Sequence, residues 1–292
     1  METVREKRLY PRIKEKLKVD ISRNILGETI DLSEGGVRFN SPEDISRRKI
    51  SLRIHFLHQR FELNAKAKII WRREREGGYS TYGTEFVNLD ETHAVLLRKE
   101  LIKTQISELL RDIKSSQIKR EVSHFFLKDV LDYISRIIKL IPDLSKQEKY
   151  SLELEKYLDH LNIQILLKGY CLEMLLSNEQ IVKRIKETFR QLVGTWIYKS
   201  VVLKRAFERP RGYAGDYKML ELIYDKKAVS GNIGVYFDNN FLKSPYAVGI
   251  RLRKSFLRDL LRDFINKATA GEIRILNIGC GSCRELDRKS VV

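Results

Sequence analysis

Cysteine is scarce in this chain: Cys171, Cys280 and Cys283 are the three found in 292 residues. So few thiols give no disulfide framework and suit a reducing cytoplasm. No apolar run approaches the roughly 18 residues needed to span a bilayer. The opening residues Glu2, Arg5, Glu6, Lys7 and Arg8 are charged, and no apolar stretch follows them, which argues against a secretory signal. The histidines (His55, His58, His93, His124 and His160) fall at no spacing that suggests metal ligation. There is no nucleophile–base pair and no internal repeat. The expectation is a soluble, cytoplasmic protein with no membrane span and no metal site.

Positive charge, by contrast, is abundant, with a net +17. A basic surface captures phosphates non-specifically, so nucleic acid is one reading. Here the basic residues are interleaved with Glu and Asp, and no recognition helix, zinc finger or basic–aromatic stripe occurs. That pattern favours solvated helix faces plus a small anionic ligand, and makes nucleic acid the weaker choice. A hydrophobic content of 42% is ordinary for a globular protein, and the length allows two cores.

Hydrophobic period divides the chain. Leu17, Val19 and Ile21 alternate with polar neighbours, as do Ile50, Leu52, Ile54 and Phe56. Phe61, Leu63, Ala65, Ala67, Ile69 and Trp71 form the longest same-face series at period two. These predict half-buried strands, with Gly77-Gly78 as a hairpin turn. From about Thr92 the period becomes helical. Ile102, Ile106, Leu109 and Ile113 mark one helix; Val122, Phe125, Phe126 and Val130 begin a second, which Pro142 should end near Ile141. Leu154, Leu158, Leu161 and Ile165 mark a third. Ser177 to Gln180 has capping-box spacing and opens a fourth, carrying Ile181, Ile185, Phe189 and Leu192.

Two short motifs near the start point to a ligand. Arg8-Leu9-Tyr10-Pro11-Arg12 supplies two guanidinium groups able to fork onto phosphate or stack on a purine. Pro11 keeps Tyr10 out of helical geometry. Asp31-Leu32-Ser33-Glu34-Gly35-Gly36 supplies an acceptor-only carboxylate suited to a guanine N–H edge and a hydroxyl for phosphate. Its glycines let backbone N–H groups approach an anion. The two motifs resemble the signatures of the PilZ family, Arg-x-x-x-Arg and Asp/Asn-x-Ser-x-x-Gly, over roughly the first hundred residues. The resemblance implies a small β-barrel that binds cyclic di-GMP through Arg8, Arg12, Asp31, Ser33, Gly35 and Gly36.

A second signal lies at the far end. Arg274 to Glu285 runs as a short apolar strand into Asn277-Ile278-Gly279-Cys280-Gly281. This resembles the first motif of class I S-adenosylmethionine-dependent methyltransferases, with Asn277 where an acid is common and Cys283 where a third glycine stands. Gly212-Tyr213-Ala214-Gly215-Asp216 likewise resembles a segment preceding the core in a bacterial methyltransferase family. The resemblance implies a partial cofactor site at Asn277, Gly279, Gly281, Tyr213 and Asp216, and an unidentified methyl acceptor. Cys280 and Cys283 are better explained by the glycine turn than as a redox pair or zinc half-site. A doubly wound sheet needs more strands than remain after Leu286, and Asp287 to Val292 resembles a translated sequencing adapter. The expectation is therefore a truncated cofactor domain, inactive in this chain.

The predicted architecture is α+β and multidomain: an antiparallel β-barrel over 1–110, a helical region over 111–270, and the opening of a Rossmann-like α/β domain over 271–292. The predicted function is a cyclic di-GMP-binding regulator of an attached methyltransferase. A ligand-blind interaction module and a basic nucleic-acid-binding protein are the alternatives.

Overall fold

The computed structural model describes residues 10–22, 25–56, 61–75, 78–146, 150–213 and 215–267, with isolated positions beyond. Six strands come first among them: β1 (Lys18–Ile21), β2 (Ile25–Ser33), β3 (Gly36–Ser41), β4 (Lys49–Phe56), β5 (Phe61–Glu74) and β6 (Ser80–Val87). They close into a barrel in the order β1-β2-β3-β6-β5-β4, with antiparallel neighbours throughout and β1 pairing with β4 to complete the ring. Closure leaves no sheet edge open. The alternating positions read from the sequence fill it: Val19, Ile21, Ile50, Leu52, Ile54, Phe56 and Leu63 are all buried. Phe39 and Tyr82 stack inside at 5.5 Å, and the Tyr82 hydroxyl donates to Asp44 at 2.9 Å.

Two bulges interrupt this period. In β5 the register shifts between Ile69 and Trp71, so Ile70 and Trp71 are both exposed and the expected inner-face series stops short of Trp71. Trp71 pairs instead with Gly83, where an added Cβ would lie 2.2 Å from the indole. The other bulge, between Thr29 and Asp31 in β2, bears on the ligand motif.

The helices are α1 (Glu91–Asp112), α2 (Ser116–His124), a π-helical turn (Phe125–Val130), α3 (Leu131–Lys146), α4 (Leu152–Met174), α5 (Glu179–Ile197), α6 (Val201–Glu208), α7 (Tyr217–Asp225), α8 (Ile233–Lys243) and α9 (Pro245–Lys267). Two expectations are corrected. Pro142 does not end its helix, because α3 runs on to Lys146. A proline removes one donor, here the partner of the Ile138 carbonyl, and one missing bond does not break a helix whose other turns hold. The cap of α5 is Asn178, not Ser177: its side-chain oxygen accepts from Gln180 N at 2.9 Å and Ile181 N at 3.2 Å.

The described residues divide into two compact units, one drawn from 1–143 and 161–195, the other from 144–160 and 196–292. The first holds the barrel and a helical core that includes Ile102, Ile106, Val122, Phe126, Ile134 and Leu192. The second has its own core around Val202, Met219, Ile223, Leu242 and Ala247. Buried Asp238 organises it, accepting from the Ser200 hydroxyl and from the Val229 and Ser230 backbone N–H groups. No helix among the described residues is long and apolar enough to cross a membrane. Most of the strand and glycine turn expected over 273–281 lies outside the described residues, and no Rossmann-like sheet occurs among the described ones.

Candidate ligand site on the barrel

Backbone pairing brings the two motifs together. Ile13, next to Arg12, forms an isolated bridge with Leu32: its N–H donates to Leu32 O and its carbonyl accepts from Leu32 N, both at 2.9 Å. Three residues along, Thr29 Oγ1 accepts from Leu17 N at 2.9 Å and donates to Glu15 O at 2.5 Å. Residues 13–17, which follow Arg12, are thereby laced along β2.

The β2 bulge does the rest. Thr29 pairs with Phe39 and Asp31 with Arg38, leaving Ile30 as the extra residue. The shift breaks strict alternation, and Asp31, Leu32 and Ser33 are buried in succession. Asp31 Oδ1 accepts from Arg12 Nη1 at 2.5 Å, while Oδ2 is held by Arg38. One buried carboxylate therefore carries two guanidinium groups, and Arg38 Nε is buried without a hydrogen-bond partner. Arg38 belongs to neither signature, and its place opposite Asp31 depends on the bulge, which hydrophobic period does not show.

Ser33 is 2% exposed, and its hydroxyl donates to Gly36 O at 3.1 Å, closing the turn. To donate to a phosphate it must first release that bond. The glycines have steric reasons of their own. A Cβ on Gly36 would sit 2.1 Å from the Thr84 carbonyl oxygen, and one on Gly35 would sit 2.8 Å from the Tyr10 ring. Arg8 lies outside the described residues.

Of the second group of expected residues, Tyr213 and Asp216 fall among the described ones. Tyr213 is exposed, whereas Asp216 is 1% exposed and caps α7, accepting from Met219 N at 2.9 Å. Arg205 donates to both Asp216 oxygens, from Nε at 3.0 Å and from Nη2 at 2.5 Å. That hydrogen bonding first, then the cap and the nearby positive charge, holds the carboxyl below its ordinary value. Gly212 has φ +86°, which favours glycine at that turn whatever the segment does. Asn277, Gly279 and Gly281 lie outside the described residues. Among the described residues, no group of three or more His, Cys, Asp or Glu side chains could hold a metal.

Residues 3–103 match the family model of the PilZ domain. The chain thus carries an N-terminal PilZ domain, folded as a six-stranded antiparallel barrel. Among solved structures it is similar to the inhibitor of motility MotI/DgrA of Bacillus subtilis, at 16% identity and a TM-score of 0.31, over 35% of this chain and 52% of that one. It is also similar to the PilZ domain with c-di-GMP of YcgR from Escherichia coli, at 16% identity and a TM-score of 0.30, over 37% of this chain and 99% of that one. The match spans about half the length of the MotI/DgrA chain. No curated protein matches.

Proposed function

We propose that the barrel binds cyclic di-GMP and that binding regulates the helical remainder of the protein. The observation that carries this is Arg12 seated on Asp31, the two motifs meeting at 2.5 Å across 19 residues of sequence. The N1–H and N2–H edge of guanine presents two parallel donors, the same face that a guanidinium offers a carboxylate. Guanine therefore competes with Arg12 and Arg38 for Asp31. A displaced arginine is then free to fork onto a phosphate or stack on the purine, and Arg8 supplies a further guanidinium from the same segment. Closure of that segment over the Asp31–Gly36 turn follows from both elements touching one ligand.

Calorimetric titration of the whole chain tests the reading. Saturable heat with cyclic di-GMP, competed by neither cyclic di-AMP nor mononucleotides, is expected. No heat at high micromolar ligand sinks it, and leaves the barrel as a ligand-blind interaction module.

The regulated activity we propose is methyl transfer from S-adenosylmethionine to an unidentified acceptor in the cytoplasm. Its support is the resemblance at Gly279 and Gly281 and at the Gly212–Asp216 segment. The test is S-adenosylmethionine binding by a chain extended beyond Leu286. Preference for a nicotinamide cofactor ends this half and leaves the barrel reading intact.

A further inference from the structure

We infer that Arg98 is a positioning residue that ties the nucleotide turn to α1 and α3, so that occupancy of the site is read by these helices; this rests on the cyclic di-GMP reading above. Glu34 stands between Ser33 and Gly35 in the turn, at a position where the signature asks for no particular side chain. It points at α1. Arg98 Nε donates to Glu34 Oε2 at 2.8 Å and Nη2 donates to Oε1 at 2.5 Å, a two-pronged pair joining residues 64 apart. The remaining nitrogen, Nη1, donates to Ser135 Oγ on α3 at 2.5 Å, and the Ser135 hydroxyl donates in turn to Leu131 O at 2.7 Å.

Both charged side chains are about nine-tenths buried. A guanidinium stripped of its carboxylate there would lose its paired charge at a place nearly closed to water, so α1 follows Glu34 wherever the turn goes. The plane of the guanidinium is held by acceptors on two different elements. Tilting it to follow Glu34 also pulls on Ser135.

Tyr10 meets the same node. The ring of Tyr10 lies against Gly35. Burial raises the pKa of its phenol, and the nearby Glu34 charge raises it further while Arg98 opposes. Tyr10 stands midway between Arg8 and Arg12. Drawing those arginines onto a ligand must slide Tyr10 across Gly35, beside the Glu34–Arg98 pair.

The test is hydrogen–deuterium exchange on the whole chain, with and without saturating cyclic di-GMP, alongside calorimetry. In the wild type, ligand should change exchange in α1 and in α3 as well as in the turn. Arg98→Met should abolish both helical responses and weaken affinity by about fivefold or more, the scale of a typical coupling between sites. Arg98→Lys should not rescue it, since lysine lacks the fork. Ser135→Ala touches neither the turn nor the ligand segment, so it should leave affinity unchanged and silence α3 alone. Should Arg98→Met fail to fold, this second variant decides. Wild-type binding with helical responses that persist in Ser135→Ala and Arg98→Met overturns the inference while the ligand reading stands. Absence of wild-type binding overturns both.

Discussion

Asp31 holds two guanidinium groups, and this shapes what substitutions there should do. Arg12→Ala removes a charge-assisted contact and should weaken cyclic di-GMP binding by about 1.5–3 kcal/mol in a calorimetric titration. Arg12→Lys should not restore it, because lysine keeps the charge but loses the planar fork. Wild-type affinity in the lysine variant would reduce the site to an electrostatic patch. Gly36 is constrained by packing instead. Its nearest neighbours are the Thr84 carbonyl oxygen and carbon on β6, at 2.1 and 2.9 Å from an added Cβ. Backbone of a closed barrel cannot step aside, so Gly36→Ala should destabilise the barrel by about 1–3 kcal/mol in denaturant unfolding. Gly35→Ala meets only the Tyr10 ring and should disturb the arginine segment more than barrel stability.

At the scale of elements, the helix ends show where local chemistry is decisive. Asp216 opens α7, and its carboxylate is held by Arg205. Its native pKa lies below the ordinary 3.8, so the unfolded chain takes up the proton first as pH falls. The stabilisation is thus complete above that ordinary value and is lost as pH drops through the lowered native one. Asp216→Asn can keep the cap bond to Met219 but loses the charge pairing. Thermal unfolding should place it below wild type at pH 7, with the gap closing toward pH 3. A constant gap would assign the whole effect to packing. Asn178 taking the cap of α5 and α3 crossing Pro142 belong to the same scale: competing local signals a residue or two apart are arbitrated by the geometry of each helix.

Across the whole molecule, apolar surface and positive charge stand side by side. Along α9, Val248, Leu252, Phe256, Leu260 and Phe264 recur every fourth residue, and all are exposed. Such a stripe is an aggregation liability that a net charge of +17 partly offsets by mutual repulsion. Salt screens that repulsion, so light scattering should report increasing self-association as ionic strength rises. Phe256→Glu combined with Leu260→Glu should suppress it while changing stability by no more than about 0.5 kcal/mol per substitution, as expected of exposed sites. Unchanged association would show that other surfaces drive it.

Hydrophobic period and residue type are local properties, so the alternation that fills the barrel, the onset of the helices near Thr92 and the two signature motifs were legible in the chain alone. The contact between those signatures was not legible. It depends on the Ile13–Leu32 bridge and on one extra residue at Ile30, which turns Asp31 inward opposite Arg38. Neither a bulge nor a register is written in hydrophobic period, since both are settled by pairing with a distant strand. Arg98 is the extreme case: on α1 it is one basic residue among many. That this arginine, rather than Lys99 beside it, is buried against Glu34 follows from packing, which alone determines which face of a helix loses its water.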